Sequence, residues 1–272
     1  MNEKYVLVTG ACGGLGAAAA SELARRGFKV IAADIAEPKA GEGILPLVMD
    51  VSDEASVEAA AKAVAQITPK LYAVLHLAGV YTMDSFVEID ESGLSQMLAV
   101  NLMGVYRVNK AFLPLLLAAR GNALPRIAVV TSELAPLDPL PFNGIYSMTK
   151  TALESYAHSL ALELELVGIR VVTLRPGAFG SGMPQASLRE MERMSRTTKL
   201  YPKVTARFRS IMLGEIGSAK DPAVFAEWVA GILQKKRPRL LYAKNNSLKL
   251  KLFSALPFPW QAALLKKLLG AK

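Results

Sequence analysis

Short apolar runs alternate with amphipathic stretches along most of the chain. The runs typical of buried strands are Tyr5–Val8, Phe28–Ala33, Ile44–Val48, Leu71–Leu77, Arg126–Thr131, Ile169–Leu174 and Leu240–Ala243. The stretches between them predict helices, including Gly14–Arg26, Val57–Ile67, Glu91–Ala119 and Tyr146–Val167. Pro114 is expected to bend or end the third of these helices. Such alternation predicts an α/β fold in which helices cover both faces of a parallel sheet.

Composition narrows the class of protein. With 272 residues, 52% of them hydrophobic and 20% charged, the chain can bury a sizeable core, which excludes a disordered protein. A single cysteine, Cys12, excludes an intrachain disulfide and a cysteine-cluster metal site. No apolar run reaches the roughly 18 residues typical of a membrane-spanning helix. The first residues lack the layout of a signal peptide, so a cytoplasmic protein is predicted.

The first strand runs into a glycine-rich turn, Gly10-Ala11-Cys12-Gly13-Gly14-Leu15-Gly16. Glycines permit a tight turn and let a phosphate approach backbone N–H groups, while the following helix directs its positive end at a pyrophosphate. Asp34 ends the second strand, 18 residues beyond Gly16. A carboxylate there accepts hydrogen bonds from the adenosine ribose hydroxyls and repels a 2′-phosphate. Because no Lys or Arg lies between Gly10 and Gly16, the sequence favours NAD over NADP.

A second group of residues indicates proton transfer. Tyr146 and Lys150 stand four positions apart at the start of a helical stretch, so they share one helix face. A nearby ammonium favours phenolate and lowers a tyrosine pKa from its ordinary value of about 10. The phenol then becomes a usable general acid or base near neutral pH. Ser132 ends the preceding strand, 14 residues before Tyr146.

Taken in order along the chain, these motifs resemble those of the short-chain dehydrogenase/reductase family. The matching residues are Thr9-Gly10-x3-Gly14-x-Gly16, Asp50-Val51, Ala78-Gly79, Asn101-Leu102-Met103-Gly104, Ser132, Tyr146-x3-Lys150 and Pro176-Gly177. The resemblance implies a single Rossmann-type, doubly wound domain over residues 1–245, with a seven-stranded parallel sheet. It also implies an NAD(P)-dependent oxidoreductase that acts on CH–OH groups.

The resemblance assigns roles to individual residues. Tyr146 would exchange a proton with the substrate oxygen, Ser132 would hydrogen-bond that oxygen, and Lys150 would hold the nicotinamide ribose. Asn101 would hold a water in the proton relay leading to Lys150. Cofactor contacts are implied for Gly10, Cys12, Gly13, Gly14, Leu15, Gly16, Asp34, Asp50, Val51, Ala78, Gly79, Tyr146, Lys150, Pro176, Gly177, Phe179 and Ser181. No metal site is expected.

Three features depart from the family pattern. Phe179 and Ser181 stand where the family often has Val or Ile and then Thr, and Ser181 keeps the hydroxyl. His76-Leu77 stands where the family usually has Asn-Asn, and we interpret His76 as a packed, hydrogen-bonded residue at a strand end. The spacing from Ser132 to Tyr146 is one residue longer than the commonest family spacing, which Glu133 would satisfy. A glutamate there would repel a developing alkoxide, so Ser132 is kept as the catalytic residue.

Residues 182–217 correspond to the substrate lid in this resemblance. They include the apolar residues Met183, Met191, Met194, Tyr201, Phe208 and Met212. Because methionine adapts to irregular apolar shapes, the lid favours a bulky alcohol or ketone, such as a steroid, retinoid or lipid-like compound. The alternative is that these side chains only pack the lid onto the body. Within the family, the Ser132-Glu133 context and the basic tail most resemble the steroid/retinol dehydrogenase-like members.

The net charge of +9 belongs to the C-terminal part of the chain. From Trp228 onward there are ten Lys or Arg and no acidic residue, while the remaining 22 basic and 23 acidic residues nearly cancel. Residues 246–272 form a basic, amphipathic extension suited to an anionic membrane surface. It equally suits a pocket cap, a subunit interface or a solvated basic surface. No nucleic-acid recognition motif accompanies the charge.

Two further questions stay open at this point. The resemblance implies a homodimer or homotetramer acting on a small hydrophobic alcohol or ketone. A fold alone does not establish catalysis, so a redox-inactive, NAD-binding regulatory protein is kept as the alternative function.

Overall fold

A computed structural model describes residues 3–121, 124–180, 183–216 and 219–271. Within these residues, seven parallel strands form one sheet in the order β3-β2-β1-β4-β5-β6-β7. The strands are β1 (Tyr5–Thr9), β2 (Lys29–Asp34), β3 (Ile44–Val48), β4 (Ala73–His76), β5 (Arg126–Val130), β6 (Arg170–Pro176) and β7 (Leu241–Lys244). The predicted doubly wound sheet is confirmed.

Helices cover both faces of this sheet. They are α1 (Gly14–Arg25), α2 (Glu54–Ile67), α3 (Glu91–Leu98), α4 (Gly104–Leu117), α5 (Gly144–Glu165), α6 (Met183–Thr197), α7 (Pro202–Ile216), α8 (Pro222–Leu233), α9 (Leu248–Ser254) and α10 (Phe258–Leu269). Helices α1 and α8 pack on one face, and α2, α4 and α5 pack on the other.

The central strands read as continuous apolar runs because both of their faces are buried. In β1, Val6 and Val8 pack toward α1 and α8, whereas Leu7 packs toward α2, α4 and α5. None of these three side chains is exposed to solvent. The same alternation continues in β2 and β4, and it fixes which face each strand residue takes.

The strand order reverses between β1 and β4, which are neighbours in the sheet. After β1 the chain proceeds to β2 and β3 on one side, and from β4 it proceeds to β5, β6 and β7 on the other. Thr9, the last residue of β1, pairs with Ala33 on one side and His76 on the other. The crevice at this reversal is where open α/β sheets bind ligands.

The stretch predicted as one helix over Glu91–Ala119 has a different internal structure. Between α3 and α4 lies a π-helical segment, Ala99–Met103, so the three pieces follow one another without a loop. Pro114 neither ends α4 nor starts a new element. Its missing N–H removes the helical hydrogen bond to the carbonyl of Lys110, yet the helix continues to Leu117.

The residues after β7 fold back onto the body of the molecule. Leu269 of α10 enters a group of buried apolar side chains that we call the lid cluster: Met83, Phe142, Met191, Met194, Phe208 and Leu269. Gln261 Nε2 donates to Asp138 Oδ2 at 2.7 Å, which ties α10 to the loop before α5. The inner side of α10 is therefore part of the structure around α6 and α7.

Candidate active site

Three of the predicted catalytic side chains meet beyond the carboxyl end of β5. Ser132 follows that strand, while Tyr146 and Lys150 lie one turn apart on α5. The hydroxyls of Tyr146 and Ser132 share a hydrogen bond. The Nζ atom of Lys150 lies 5.7 Å from the centroid of the Tyr146 ring. All three side chains are buried, so their ionisation is governed by their immediate neighbours.

Burial dominates the titration of Tyr146. It raises the pKa of this phenol to about 12, although the hydrogen bond with Ser132 acts in the opposite direction. The pKa is therefore raised and not lowered as the sequence predicted, because the cost of desolvating a phenolate dominates. The Nζ atom of Lys150 donates to the Val130 carbonyl oxygen at 3.0 Å. At neutral pH the phenol carries its proton.

Burial also controls Lys150, in the direction that disfavours charge. It lowers the pKa of this ammonium to about 8, so the group stays mainly protonated at pH 7. One turn further along α5, buried Glu154 accepts a hydrogen bond from Arg175 Nε at 2.8 Å and another from Thr131 Oγ1 at 3.2 Å. The ion pair between Glu154 and Arg175 was not predicted from the sequence. The available signal was the position of Glu154, four residues after Lys150 and therefore on the same face of the helix.

Asn101 lies in the π-helical segment and is fully buried. Its amide forms two hydrogen bonds with the backbone of Val80, accepting from N–H at 2.8 Å and donating to C=O at 3.0 Å. A third, at 3.2 Å, goes to Thr149 Oγ1 on α5. The side chain thus fixes the segment after β4 against α5. Its predicted part in a water relay stays a prediction.

The glycine-rich turn is shaped by backbone contact. Gly10 has φ +72°, and a Cβ placed on it would lie 2.6 Å from the Ala78 nitrogen. A Cβ on Gly16 would lie 1.9 Å from the Gly10 carbonyl oxygen. In the described part of the chain, no side chain caps the start of α1 at Gly13. These residues fit a dinucleotide, since backbone N–H groups and a helix N-terminus are what a pyrophosphate binds.

Two carboxylates predicted to contact the cofactor lie at the ends of neighbouring strands. Asp34 ends β2, and its Oδ2 accepts the Cys12 N–H at 2.8 Å, which braces the glycine-rich turn. Asp50 accepts the N–H and hydroxyl of Ser52 at 2.8 and 2.6 Å. Val51 is buried against Gly104, where a Cβ would lie 2.8 Å from Val51 Cγ2.

The remaining predicted cofactor contacts follow β4 and β6. Ala78 donates its N–H to Thr9 Oγ1 at 3.1 Å, next to Gly79. Pro176 ends β6, and a Cβ on Gly177 would lie 1.9 Å from the Asn245 carbonyl oxygen. The Phe179 ring packs edge-on against Phe225 with centroids 5.5 Å apart, so its side chain belongs to the core. Ser181 lies outside the described residues.

His76 and Glu133, the two departures near the predicted site, are each held by a hydrogen-bond partner. His76 Nε2 lies 2.7 Å from Asn109 Oδ1, and burial lowers the pKa of the imidazole to about 4, which keeps it neutral. Its interpretation as a packed strand-end residue is confirmed. Glu133 accepts the N–H of Ser247 at 2.5 Å, at the start of α9, and burial raises the pKa of its carboxyl. Ser132, not Glu133, bonds Tyr146.

One aromatic residue beside Tyr146 was not predicted. Tyr81 packs its ring against the Tyr146 ring with centroids 5.0 Å apart and planes at 60°. Its hydroxyl shares a hydrogen bond with Ser187 of α6. The only signal for Tyr81 in the sequence was its position shortly after β4. Residues just beyond the carboxyl end of a parallel strand are the ones that meet ligands.

Comparison with known proteins agrees with this arrangement. The family model described as short chain dehydrogenase matches residues 4–192. The NADPH-dependent 1-acyldihydroxyacetone phosphate reductase of Schizosaccharomyces pombe is 32% identical over 64% of this chain and 60% of its own length. Human 17-beta-hydroxysteroid dehydrogenase type 6 is 30% identical over 75% and 65%, and mouse retinol dehydrogenase 16 is 28% identical over 78% and 67%.

Among solved structures, a short chain dehydrogenase/reductase from Burkholderia phymatum in complex with NAD superposes with a TM-score of 0.73. It is 24% identical, over 88% of each chain, and supports the fold. The protein described here belongs to the short-chain dehydrogenase/reductase family, whose members are NAD(P)-dependent oxidoreductases acting on CH–OH groups. Its relatives include steroid and retinol dehydrogenases, as predicted. The chain spans 60% to 67% of the length of the three relatives named above.

Proposed function

We propose that the protein interconverts a bulky hydrophobic alcohol and its carbonyl compound with NAD(H), using Tyr146 as the general acid and base. The observation that carries this proposal is the hydrogen bond between the Tyr146 and Ser132 hydroxyls, with Lys150 beside the ring. A bound nicotinamide would supply or accept the hydride. The glycine-rich turn, Asp34 and the start of α1 would hold the dinucleotide.

The side chains divide the proton chemistry among them. In carbonyl reduction, the protonated Tyr146 donates its proton to the substrate oxygen, and Ser132 hydrogen-bonds that oxygen as negative charge develops. The charge of Lys150 then stabilises the phenolate left on Tyr146. In alcohol oxidation the same proton moves in the opposite direction. Because these groups are buried, water does not weaken their interaction.

A Tyr146→Phe variant tests this assignment. It should lower turnover by at least about 100-fold, the low end of general acid–base contributions, while NADH affinity stays close to that of the wild type. Steady-state rates with a panel of hydroxysteroids, retinol and medium-chain alcohols, read as NADH absorbance, provide the measurement. Near-wild-type turnover by the variant would refute the assignment. Unchanged NADH absorbance with every substrate would instead favour the redox-inactive regulator.

NAD is proposed as the preferred cofactor because Asp34 places a carboxylate at the end of β2. The Schizosaccharomyces pombe relative is named as NADPH-dependent, which makes the preference worth measuring in its own right. The wild type should use NAD with the higher kcat/KM, and Asp34→Ala should narrow that advantage about tenfold by removing the repulsion of a 2′-phosphate. A wild-type preference for NADP would contradict the proposal.

The lid cluster supports an apolar substrate. Met83, Met191 and Met194 lie in it next to the rings of Phe142 and Phe208, and methionine adapts to ligands of irregular shape. The side chains of Met183 and Met212 lie outside the described residues. The names of the relatives, which concern a hydroxysteroid, retinol and 1-acyldihydroxyacetone phosphate, agree with that chemistry. Residues 182–217 are proposed as the lid.

A homodimer or homotetramer is proposed for the assembly. The observation that supports this assembly is an apolar groove of about 440 Å³ along α5. Its lining includes Phe86, Pro139, Met148 and Ala152. Light scattering coupled to size-exclusion chromatography would measure the mass. A mass equal to one chain of 29.2 kDa at micromolar concentration would contradict the assembly.

Peripheral contact with an anionic membrane is proposed for the outer side of α9 and α10. Within the described residues, no helix is both long and apolar enough to cross a membrane. Apolar side chains nevertheless remain exposed at Leu248, Leu252, Phe258, Trp260, Leu264 and Leu268. Exposed lysines lie among them and no acidic residue does, which suits an anionic lipid surface.

Point variants test the contact without removing the docked side of α10. Lys266→Glu combined with Lys267→Glu should abolish co-sedimentation with anionic vesicles at low salt, because each basic residue contributes about 1 kcal/mol near such a surface. The control is Leu162→Ser, which changes an exposed apolar residue on α5. Wild-type protein left in the supernatant with anionic vesicles at low salt would refute membrane contact.

A further inference from the structure

The segment that follows β4 links the lid to the catalytic tyrosine through one side chain. Tyr81 packs against the lid cluster and also against the buried group formed by Met97, Ile145 and Tyr146. Among the described residues, it is the one that contacts both groups. The Tyr81 side chain therefore contacts both the lid cluster and the group that contains Tyr146.

Each end of Tyr81 is held by a defined contact. Its ring meets the Tyr146 ring edge-on at 5.0 Å between centroids, an arrangement in which aromatic pairs attract each other beyond their buried area. Its hydroxyl shares a hydrogen bond with Ser187, a buried residue on α6. Burial raises the pKa of the Tyr81 phenol well above its ordinary value, so the hydroxyl stays protonated.

The neighbours of Tyr81 reinforce the same connection. Before it, Val80 is bonded at both its N–H and its C=O by the Asn101 amide. After it, Thr82 Oγ1 donates to Glu190 Oε2 of α6 at 2.6 Å. Further along, Arg193 of α6 donates to the Met83 carbonyl oxygen at 3.0 Å. One backbone segment thus carries bonds to a predicted catalytic residue at its start and to α6 along its length.

We propose that Tyr81 is a positioning residue that holds α6 closed over the substrate through Ser187 and keeps the Tyr146 ring in place through its own ring. The proposal rests on the proposed function, because α6 belongs to the segment assigned as the lid. Tyr81 would then control two properties through different atoms. Its hydroxyl sets the retention of bulky substrates, and its ring sets the alignment of Tyr146, the proton donor.

Hydroxyl and ring are separable by substitution. Tyr81→Phe and Ser187→Ala each remove the same hydrogen bond, and each should raise KM for a bulky substrate about fivefold with little change in kcat. The double variant should also show about fivefold, because both changes break one interaction. Tyr81→Leu should in addition lower kcat about tenfold, since the Tyr146 ring loses its edge contact and the phenol is less well oriented.

A measurement without substrate separates this proposal from the proposed function. In hydrogen exchange of the protein alone, the amides of α6 should exchange about fivefold faster in Tyr81→Phe than in the wild type. The control is Tyr156→Phe, which removes a hydroxyl that accepts from Asn109 Nδ2 at 3.1 Å and lies outside both contacts of Tyr81. It should leave α6 exchange and KM unchanged.

The outcomes are distinct. Faster α6 exchange in Tyr81→Phe without turnover of any alcohol or ketone would support the link between Tyr81 and Ser187 while refuting the proposed function. Wild-type exchange of α6 in Tyr81→Phe would overturn the proposal whatever the activity. Multiplying effects on KM, giving about 25-fold in the double variant, would also overturn it, because Tyr81 and Ser187 would then act independently.

Discussion

The turn between β1 and α1 and the lid cluster take their shapes from different parts of the chain. In the turn, backbone meets backbone, and a Cβ on Gly10 would lie 2.6 Å from the Ala78 nitrogen. In the lid cluster, long side chains such as Met191 and Met194 fill the space between α6, α7 and α10. Contacts between backbone atoms leave little freedom of shape, whereas contacts between flexible side chains can adjust.

The glycine-rich turn should therefore be the region whose stability is most sensitive to substitution. Gly10→Ala should destabilise the protein by about 3 kcal/mol, because it adds a clash with backbone to an unfavourable φ. Gly27→Ala is a matched control, since Gly27 has φ +84° but no atom within 4 Å of an added Cβ. It should cost only about 1 kcal/mol. Urea unfolding measures both values, and equal costs would show that close approach of backbone does not shape the turn.

Between these two regions, the catalytic side chains are expected to reduce stability. Burial holds the pKa of Lys150 near 8, below its ordinary value of 10.5, so the unfolded chain binds the proton more tightly. Lys150→Met removes that penalty of about 3 kcal/mol. It also removes the bond to Val130, worth about 1 kcal/mol. The variant should be inactive and about 2 kcal/mol more stable at pH 7.

The pH dependence of the free energy of unfolding tests independently whether burial of Lys150 destabilises the fold. A group with a lowered lysine pKa destabilises the fold fully below about pH 8, and the penalty disappears as pH rises toward 10.5. The stability of the wild type relative to Lys150→Met should therefore increase across that range. A difference that stays constant from pH 7 to pH 10 would mean that burial does not lower the pKa of Lys150, because the folded and unfolded chains would then bind its proton equally tightly.

The smallest effect on stability is expected in the lid cluster. Met191→Leu conserves volume and should change the free energy of unfolding by less than about 1 kcal/mol, yet alter KM for bulky substrates severalfold. Met49→Leu makes the same change beneath the sheet, where the side chain is equally buried, and should leave KM unchanged. Similar KM shifts in both variants would show that the lid cluster does not touch substrate.

Features with a local sequence pattern were predicted, whereas features that depend on contacts between distant residues were not. The parallel sheet and the glycine-rich turn have local signals, so strand runs and glycine spacing were enough to predict them. The π-helical segment at Ala99–Met103 has none, because one extra residue in a helical turn barely changes the apolar pattern. Contacts such as Tyr81 with Ser187 join residues far apart in sequence, and no local pattern marks them. The raised pKa of Tyr146 depends on burial, which one-dimensional spacing does not give.

The bond between Cys12 and Asp34 has a chemical consequence. Cys12 is the one cysteine of the chain, and it is exposed in the turn proposed to hold the dinucleotide. Desolvation and the nearby Asp34 carboxylate raise the pKa of its thiol, so little thiolate forms at neutral pH and alkylation is slow. A maleimide label would therefore mark a single position at a measurable rate. Protection by NADH would report occupancy of the turn without any turnover.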